Sequence, residues 1–457
     1  MAVPPLARRL ARAALGADVA ALPAAVRIKA KVCLIDFLSC AFEARELPWS
    51  RQAVAIARPL PGGASVIGTT LTTAPADAAF ANAALGHGLV REDMHAGSIA
   101  HLGVVVWPTM LALAQRTPVA GAALLDAAVV GYEAGARIGR ALIDAKLARL
   151  FRPTGLIGPL AAALGASRLL GLDEDDAVSA LALAANTSGG LNHWPHTGGS
   201  EMYFHPAFAA RNAVTAIELA EQGAFASDTI LEGEGGLFHA FRRAAPDAPI
   251  ELFALGEAEI LAVFNKPVPA CNFAQTPCQI ALRAGRSLGN RIDAIERIVV
   301  HVPDASKRYP GCDFAGPFER ALQAKMSIQF GVAAALARGV VAERNYQQLD
   351  DPAILRLIGR VTLESDPQLS AAFPRAQGAR IVLRLDDGGT ITEQLDDVVA
   401  ATGTEVRARF REAAAAVLGA ARVQTIEGFV DGMESQDDAG VLAALCAPAI
   451  RARAVGA

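Results

Sequence analysis

From Pro23 to Leu261 the chain is one alanine-rich segment of helical period after another, each broken by glycine or proline, and this pattern constrains the fold most. Alanine is the best helix former and lets helices approach closely. Hydrophobic residues make up 53% of the sequence and aromatics only 5%, so small aliphatic side chains must supply the interior. Several ends are readable. Asp173 with Asp176 marks an acidic helix start, and the run Ala177 to Ala185 closes at Ser188-Gly189-Gly190. Ala122 to Leu142, Leu156 to Leu170 and Ala207 to Gln222 have the same character, which predicts a helical bundle. Leu102 to Ala114 reads as a buried helix with Pro108 near its start, well short of the roughly 20 apolar residues that cross a bilayer.

After Lys266 the period changes. Ile298, Val300 and Val302 alternate with Arg297, Val299 and His301, a strand pattern, and Val361 to Glu364 is a second short strand. Arg380 to Leu385 and Thr390 to Gln394 flank the turn Asp387-Gly388-Gly389. A helix from Glu405 to Leu418 then returns to the first pattern. A chain of 457 residues exceeds what one core usually fills. The expected fold is mainly α: a large helical domain from residues 1–265 and 405–457, and a smaller α+β domain from 266–404.

A formal net charge of −4 with no dense Lys/Arg stripe argues against a nucleic-acid partner. Arg8, Arg9 and Arg12 interrupt the N-terminal apolar residues, unlike a secretory leader. Cys33, Cys40, Cys271, Cys278, Cys312 and Cys446 show no metal-ligand spacing and read as buried or isolated thiols. The expectation is a cytoplasmic protein with neither membrane nor nucleic acid as partner.

Six of the eight histidines fall between residues 87 and 205. The first group contains His87, Glu92, Asp93 and His95, followed by His101. Imidazoles and carboxylates so spaced can move protons, because histidine titrates near neutrality. The same residues could equally tie down a loop. No specific metal pattern, serine nucleophile elbow or dinucleotide loop is present. Phe151-Arg152-Pro153-Thr154-Gly155 precedes a helix. Exposed N–H groups, the helix dipole and a guanidinium together make a sound carboxylate receptor. Lys266-Pro-Val-Pro-Ala-Cys271 marks the domain junction, a common place for ligands.

These strings resemble, in order, successive signature blocks of the MmgE/PrpD family: Asn82 to Pro108, Gly131-Tyr132-Glu133, Phe151 to Leu172, His205 to Ala210, Leu231 to Gly236, Lys266 to Cys271 and Ser327 to Ala333. The family includes 2-methylcitrate dehydratase, cis-aconitate decarboxylase and iminodisuccinate epimerase. The resemblance implies a helical domain with an α+β lid, a homodimer, a small carboxylate substrate, and no metal or organic cofactor. This chain departs from the family pattern at Val90, Met94, Arg152 and Met202, where an acid, a threonine, a histidine and a lysine are usual.

Chemistry of the family runs through a carbanion or enolate beside a carboxylate, which needs a proton-transfer group, donors and cationic anchors. The resemblance then gives His101 the proton transfer, with Asp93 and His95 assisting it and His205 and Tyr309 as donors. Arg152, Thr154, Lys266, Cys271 and His87 would bind substrate. A lyase of dehydratase type is the leading expectation, with epimerisation or decarboxylation as alternatives, and a non-catalytic binding protein with the same fold as the rival.

Overall fold

The computed structural model describes residues 3–449. The larger of two main hydrophobic cores is built by the helices Ala24–Ala44, Pro75–His87, Gly103–Ala114, Gly121–Leu142, Pro153–Leu170, Glu174–Ala185 and Glu201–Glu221. Gly103–Ala114 is buried on every side, as an all-apolar helix must be. Gly158 shows why small residues are needed, since an added Cβ there would stand 3.0 Å from Val105 and 3.2 Å from Ala209, on two different helices. Asp173 caps Glu174–Ala185 through a 2.9 Å bond from Asp176 N. None of the described helices is long and apolar enough to cross a membrane.

One helix differs from its sequence reading. Glu201–Glu221 starts well before Ala207 and runs through Pro206, so His205 is a helical residue and not part of a leading loop. Pro206 forfeits the N–H that would have met Met202 O. Burial of Met202 and Tyr203, with Trp49 stacked on Tyr203 at 3.9 Å, offsets that loss.

The second core lies beneath a four-stranded sheet in the order Val361–Ser365, Ile295–Val302, Ala379–Leu385, Thr390–Leu395. The first pair is parallel and the others antiparallel, with Ile298 opposite both Val361 and Leu383. Ile298, Val300 and Val302 face the core, following the period of two. Gly388, at φ 82°, makes the hairpin turn. Helices Gln275–Leu288 and Ile328–Arg338 complete this part.

The chain then returns. A capping box between Thr402 and Glu405 starts Gly403–Leu418, which packs on Ala24–Ala44 in the first core. From that helix Arg409 donates to the carbonyls of Lys266 and Pro267 at 2.9 and 2.8 Å. The junction between the two parts is thus pinned by the returning helix.

Candidate active site

His87 ends the helix Pro75–His87. The backbone then turns through Val90 at φ 56°, a left-handed conformation costly for a β-branched residue and often found where function requires it. Met94 and His95 pair antiparallel with Phe264 and Val263. That two-residue ladder sets Lys266 against the turn, where its Nζ donates to Val90 O.

Glu92 lies between two imidazoles. Its Oε1 meets Nδ1 of His87 and Nδ1 of His101, the latter at 2.8 Å, and the rings stand 5.1 Å apart. Nδ1 of His101 also lies 3.0 Å from Asp93 O. Both its partners are pure acceptors, so Nδ1 carries the proton and Nε2 presents a lone pair. At His87, Nε2 faces the Arg152 guanidinium at 3.2 Å. Arginine can only donate, so here too Nδ1 holds the proton and gives it to Glu92.

Arg152 is the N-cap of Pro153–Leu170 and sits 5.9 Å over the Trp194 ring. Met202 Sδ is 2.9 Å from His87 Nε2. His205 faces Gly190 and Arg152 from the helix Glu201–Glu221, since a Cβ on Gly190 would lie 3.3 Å from the His205 ring and 3.4 Å from the Arg152 Cβ. Asn192 donates to Tyr309 Oη at 3.3 Å. Cys271 Sγ is 3.6 Å from Cys312 Sγ, and both are buried free thiols, as the sequence reading has them.

Five buried polar atoms here have no hydrogen-bond partner: Glu92 Oε2, Arg152 Nε, Asn192 Oδ1, Trp194 Nε1 and His205 Nδ1. Orphans are expensive in a protein interior, and their concentration at one place marks a ligand site. Burial pushes the imidazoles of His101 and His205 down to about 3, so both are neutral at pH 7. Burial alone would raise Glu92, but the flanking imidazoles and their hydrogen bonds hold it well below the usual range. Burial also lowers Lys266, to about 8, against the pull of Glu92. For Cys271 burial acts upward, while the Cys312 hydrogen bond and Lys266 bring it down to about 7.

His87, Glu92 and His101 each place a ligand atom within 4.8 Å of the others, and among the described residues this group could hold a metal ion. Arg152 and Lys266 bring two positive groups to the same place, which opposes another cation and favours an anion. The arrangement sets two cations beside a lone-pair nitrogen, a combination whose chemistry suits a carboxylate.

The fold brings together His87, His101, Arg152, His205, Lys266, Cys271 and Tyr309 where the two cores meet. His95 does not join them. Its ring bonds Ser98 Oγ at 2.8 Å and Glu259 Oε2 at 3.0 Å, beside Arg140. Asp93 offers His101 its carbonyl, while its carboxylate accepts from Gly103 N at 3.1 Å and from Tyr132 Oη. Thr154 Oγ1 accepts from His101 N at 3.0 Å, so it positions the backbone of His101. Sequence reasoning assigns no role to Asn192 or Trp194, and places Glu92 in the first histidine group without giving it a task of its own. The only sequence signal for Glu92 is an acid close to two histidines, in a segment with no regular period.

The N-terminal half of the chain, residues 8–248, matches the MmgE/PrpD N-terminal domain, and residues 268–434 match the MmgE/PrpD C-terminal domain. The chain therefore belongs to the MmgE/PrpD family. It is 30% identical to the cis-aconitate decarboxylase-like protein oryM of Aspergillus oryzae over 93% of each chain. It is 26% identical to the cis-aconitate decarboxylase of Aspergillus terreus over 91% of each. The cis-aconitate decarboxylase of Mus musculus shares 27% identity, over 81% of this chain and 78% of its own.

Proposed function

We propose that the chain is a lyase that decarboxylates a small polycarboxylic acid, with His101 carrying the proton. The observation that carries this reading is the ring of orphaned polar atoms and two buried cations around a tautomer-fixed imidazole. The family resemblance by itself puts dehydration first. The names of the relatives favour decarboxylation, and so does the site, because Val90 and Met202 leave it without two of the groups that could protonate a departing hydroxide.

In this reading Arg152 and Lys266 hold the carboxylates that stay, His205 donates to or orients them, and Asn192, whose amide N–H groups go to Ala148 O and Tyr309 Oη, holds Tyr309 in place. The departing carboxylate leaves as CO2 and its electron pair passes through an adjacent double bond. The carbanion formed is quenched by a proton from His101 Nε2, which the incoming polyanion charges by raising its affinity for a solvent proton. Glu92 offsets the resulting imidazolium and fixes the ring. Side chains suffice for each step. A panel of di- and tricarboxylates headed by cis-aconitate, followed by NMR for loss of substrate and by trapping of CO2, tests the reading. Turnover with one CO2 per product supports it, and no turnover of any member overturns it. The expected homodimer is checked by light scattering.

A further inference from the structure

We infer that Cys271 and Cys312 are a modification site, forming a reversible disulfide with each other when the protein meets hydrogen peroxide. The inference goes beyond the carboxylate reading and stands without it. The two Sγ atoms lie 3.6 Å apart, so a covalent S–S bond of about 2.05 Å needs an approach of roughly 1.5 Å. Both are free thiols on separate stretches of chain that carry site residues. Cys271 ends the segment Lys266-Pro-Val-Pro-Ala, and the N–H of Cys312 donates to Tyr309 O at 3.1 Å. Cys271 keeps 4% of its surface open and Cys312 none, so Cys271 is the sulfur that a reagent little larger than water can reach.

The pair is also asymmetric, which suits one attacking and one resolving thiol. Against the upward push of burial, the Cys312 hydrogen bond and Lys266 bring Cys271 down to about 7, so about half of it is the reactive thiolate at neutral pH. Burial and the bond to Cys271 hold Cys312 well above the ordinary range, and it keeps its proton. Burial pushes Cys33, Cys40, Cys278 and Cys446 up as well. Cys278, next to Cys271 in sequence order, points instead at Gly331 on the helix Ile328–Arg338.

The Cys271 thiolate attacks one peroxide oxygen and the O–O bond breaks. The hydroxide released takes up the proton that Cys271 gave away and leaves as water, and Cys271 becomes a sulfenic acid. The Cys312 sulfur then attacks the Cys271 sulfur, the S–O bond breaks, and the departing hydroxide carries off the Cys312 proton as a second water. Two thiols and one peroxide thus give one disulfide and two waters, with two electrons passing from the sulfurs to the peroxide oxygens.

The test is peroxide treatment of the native chain at neutral pH, then denaturation, alkylation of the remaining thiols and peptide mapping with fragmentation that separates Cys271 from Cys278. The parent should fall from six alkylated cysteines to four, lose the mass of two hydrogens and regain all six with dithiothreitol. In Cys312→Ser the reaction should stop at a sulfenic acid on Cys271, which dimedone captures. Six alkylated cysteines after treatment, a crosslink between any other pair, or oxygen added to Cys271 of the parent without a link to Cys312 overturns the inference. The map of the parent decides the matter even if the variant fails to fold.

Discussion

Nδ1 of His101 stands 2.8 Å from Oε1 of Glu92, and the same oxygen is shared with Nδ1 of His87. One carboxylate thereby fixes two rings in the tautomer that turns Nε2 outward. Glu92→Gln keeps the size but loses the charge. The variant should lose about 100-fold in kcat, the scale typical of a group that orients a reacting one, while KM moves less than about threefold. An equal rise in KM, measured by initial rates, would assign Glu92 to binding instead.

Arg152→Met should act on binding. Loss of a charge-assisted pair in a partly desolvated site is worth about 2–4 kcal/mol, and calorimetry with a saturated tricarboxylate reads it directly. A ligand lacking the carboxylate that Arg152 holds should show little penalty. Unchanged affinity for every carboxylate would make Arg152 part of the scaffold.

Much of the fold is legible in the amino-acid sequence itself. Asp387-Gly388-Gly389 demands a hairpin, and Asp173 with a trailing Ser-Gly-Gly marks a helix, because both signals are local. His101, Arg152 and Lys266 are legible through ordered motifs. Glu92 is not, because its contact with His101 depends on the left-handed turn at Val90, and no period describes residues 88–93. Spacing alone groups His95 with His101, yet the ladder to Val263 turns its ring toward Glu259. Pro206 hides the first turn of its helix, since the packing of Met202 and Tyr203 outweighs one missing hydrogen bond.

Affinity should fall with rising pH. Lys266 loses its charge as pH passes about 8, and Cys271 becomes a thiolate beside it as pH passes about 7. Both changes remove net positive charge from the anion site, so kcat/KM should decline above about pH 7. Cys271→Ser should remove the lower of the two steps and keep the upper. A profile that rises from pH 7 to 9 would contradict the assignment of Lys266 as an anchor.

Asp93 makes a stability prediction. Burial lifts its carboxyl to about 7, above an ordinary value of 3.8. A raised acid favours the folded state while protonated, so its contribution is present at low pH and is lost as pH rises from about 4 through 7. Buried neutral His101 and His205 act in the opposite sense over the same window, so the readout is the difference. Denaturant titrations at several pH values should show the stability of the parent relative to Asp93→Asn falling as pH rises from about 4 through 7. An identical pH dependence in the variant would show that Asp93 is not the group responsible.

The central claim is that His101 Nε2 delivers the proton. The direct measurement is turnover of cis-aconitate in D2O, followed by NMR, for the parent and for His101→Gln, with binding of a saturated tricarboxylate measured on both. The account predicts one solvent deuterium at the new C–H bond in the parent. It predicts at least about a 1000-fold loss of turnover in the variant, with affinity preserved within about threefold. A His101→Gln protein that forms the same labelled product at the parent's rate would contradict it.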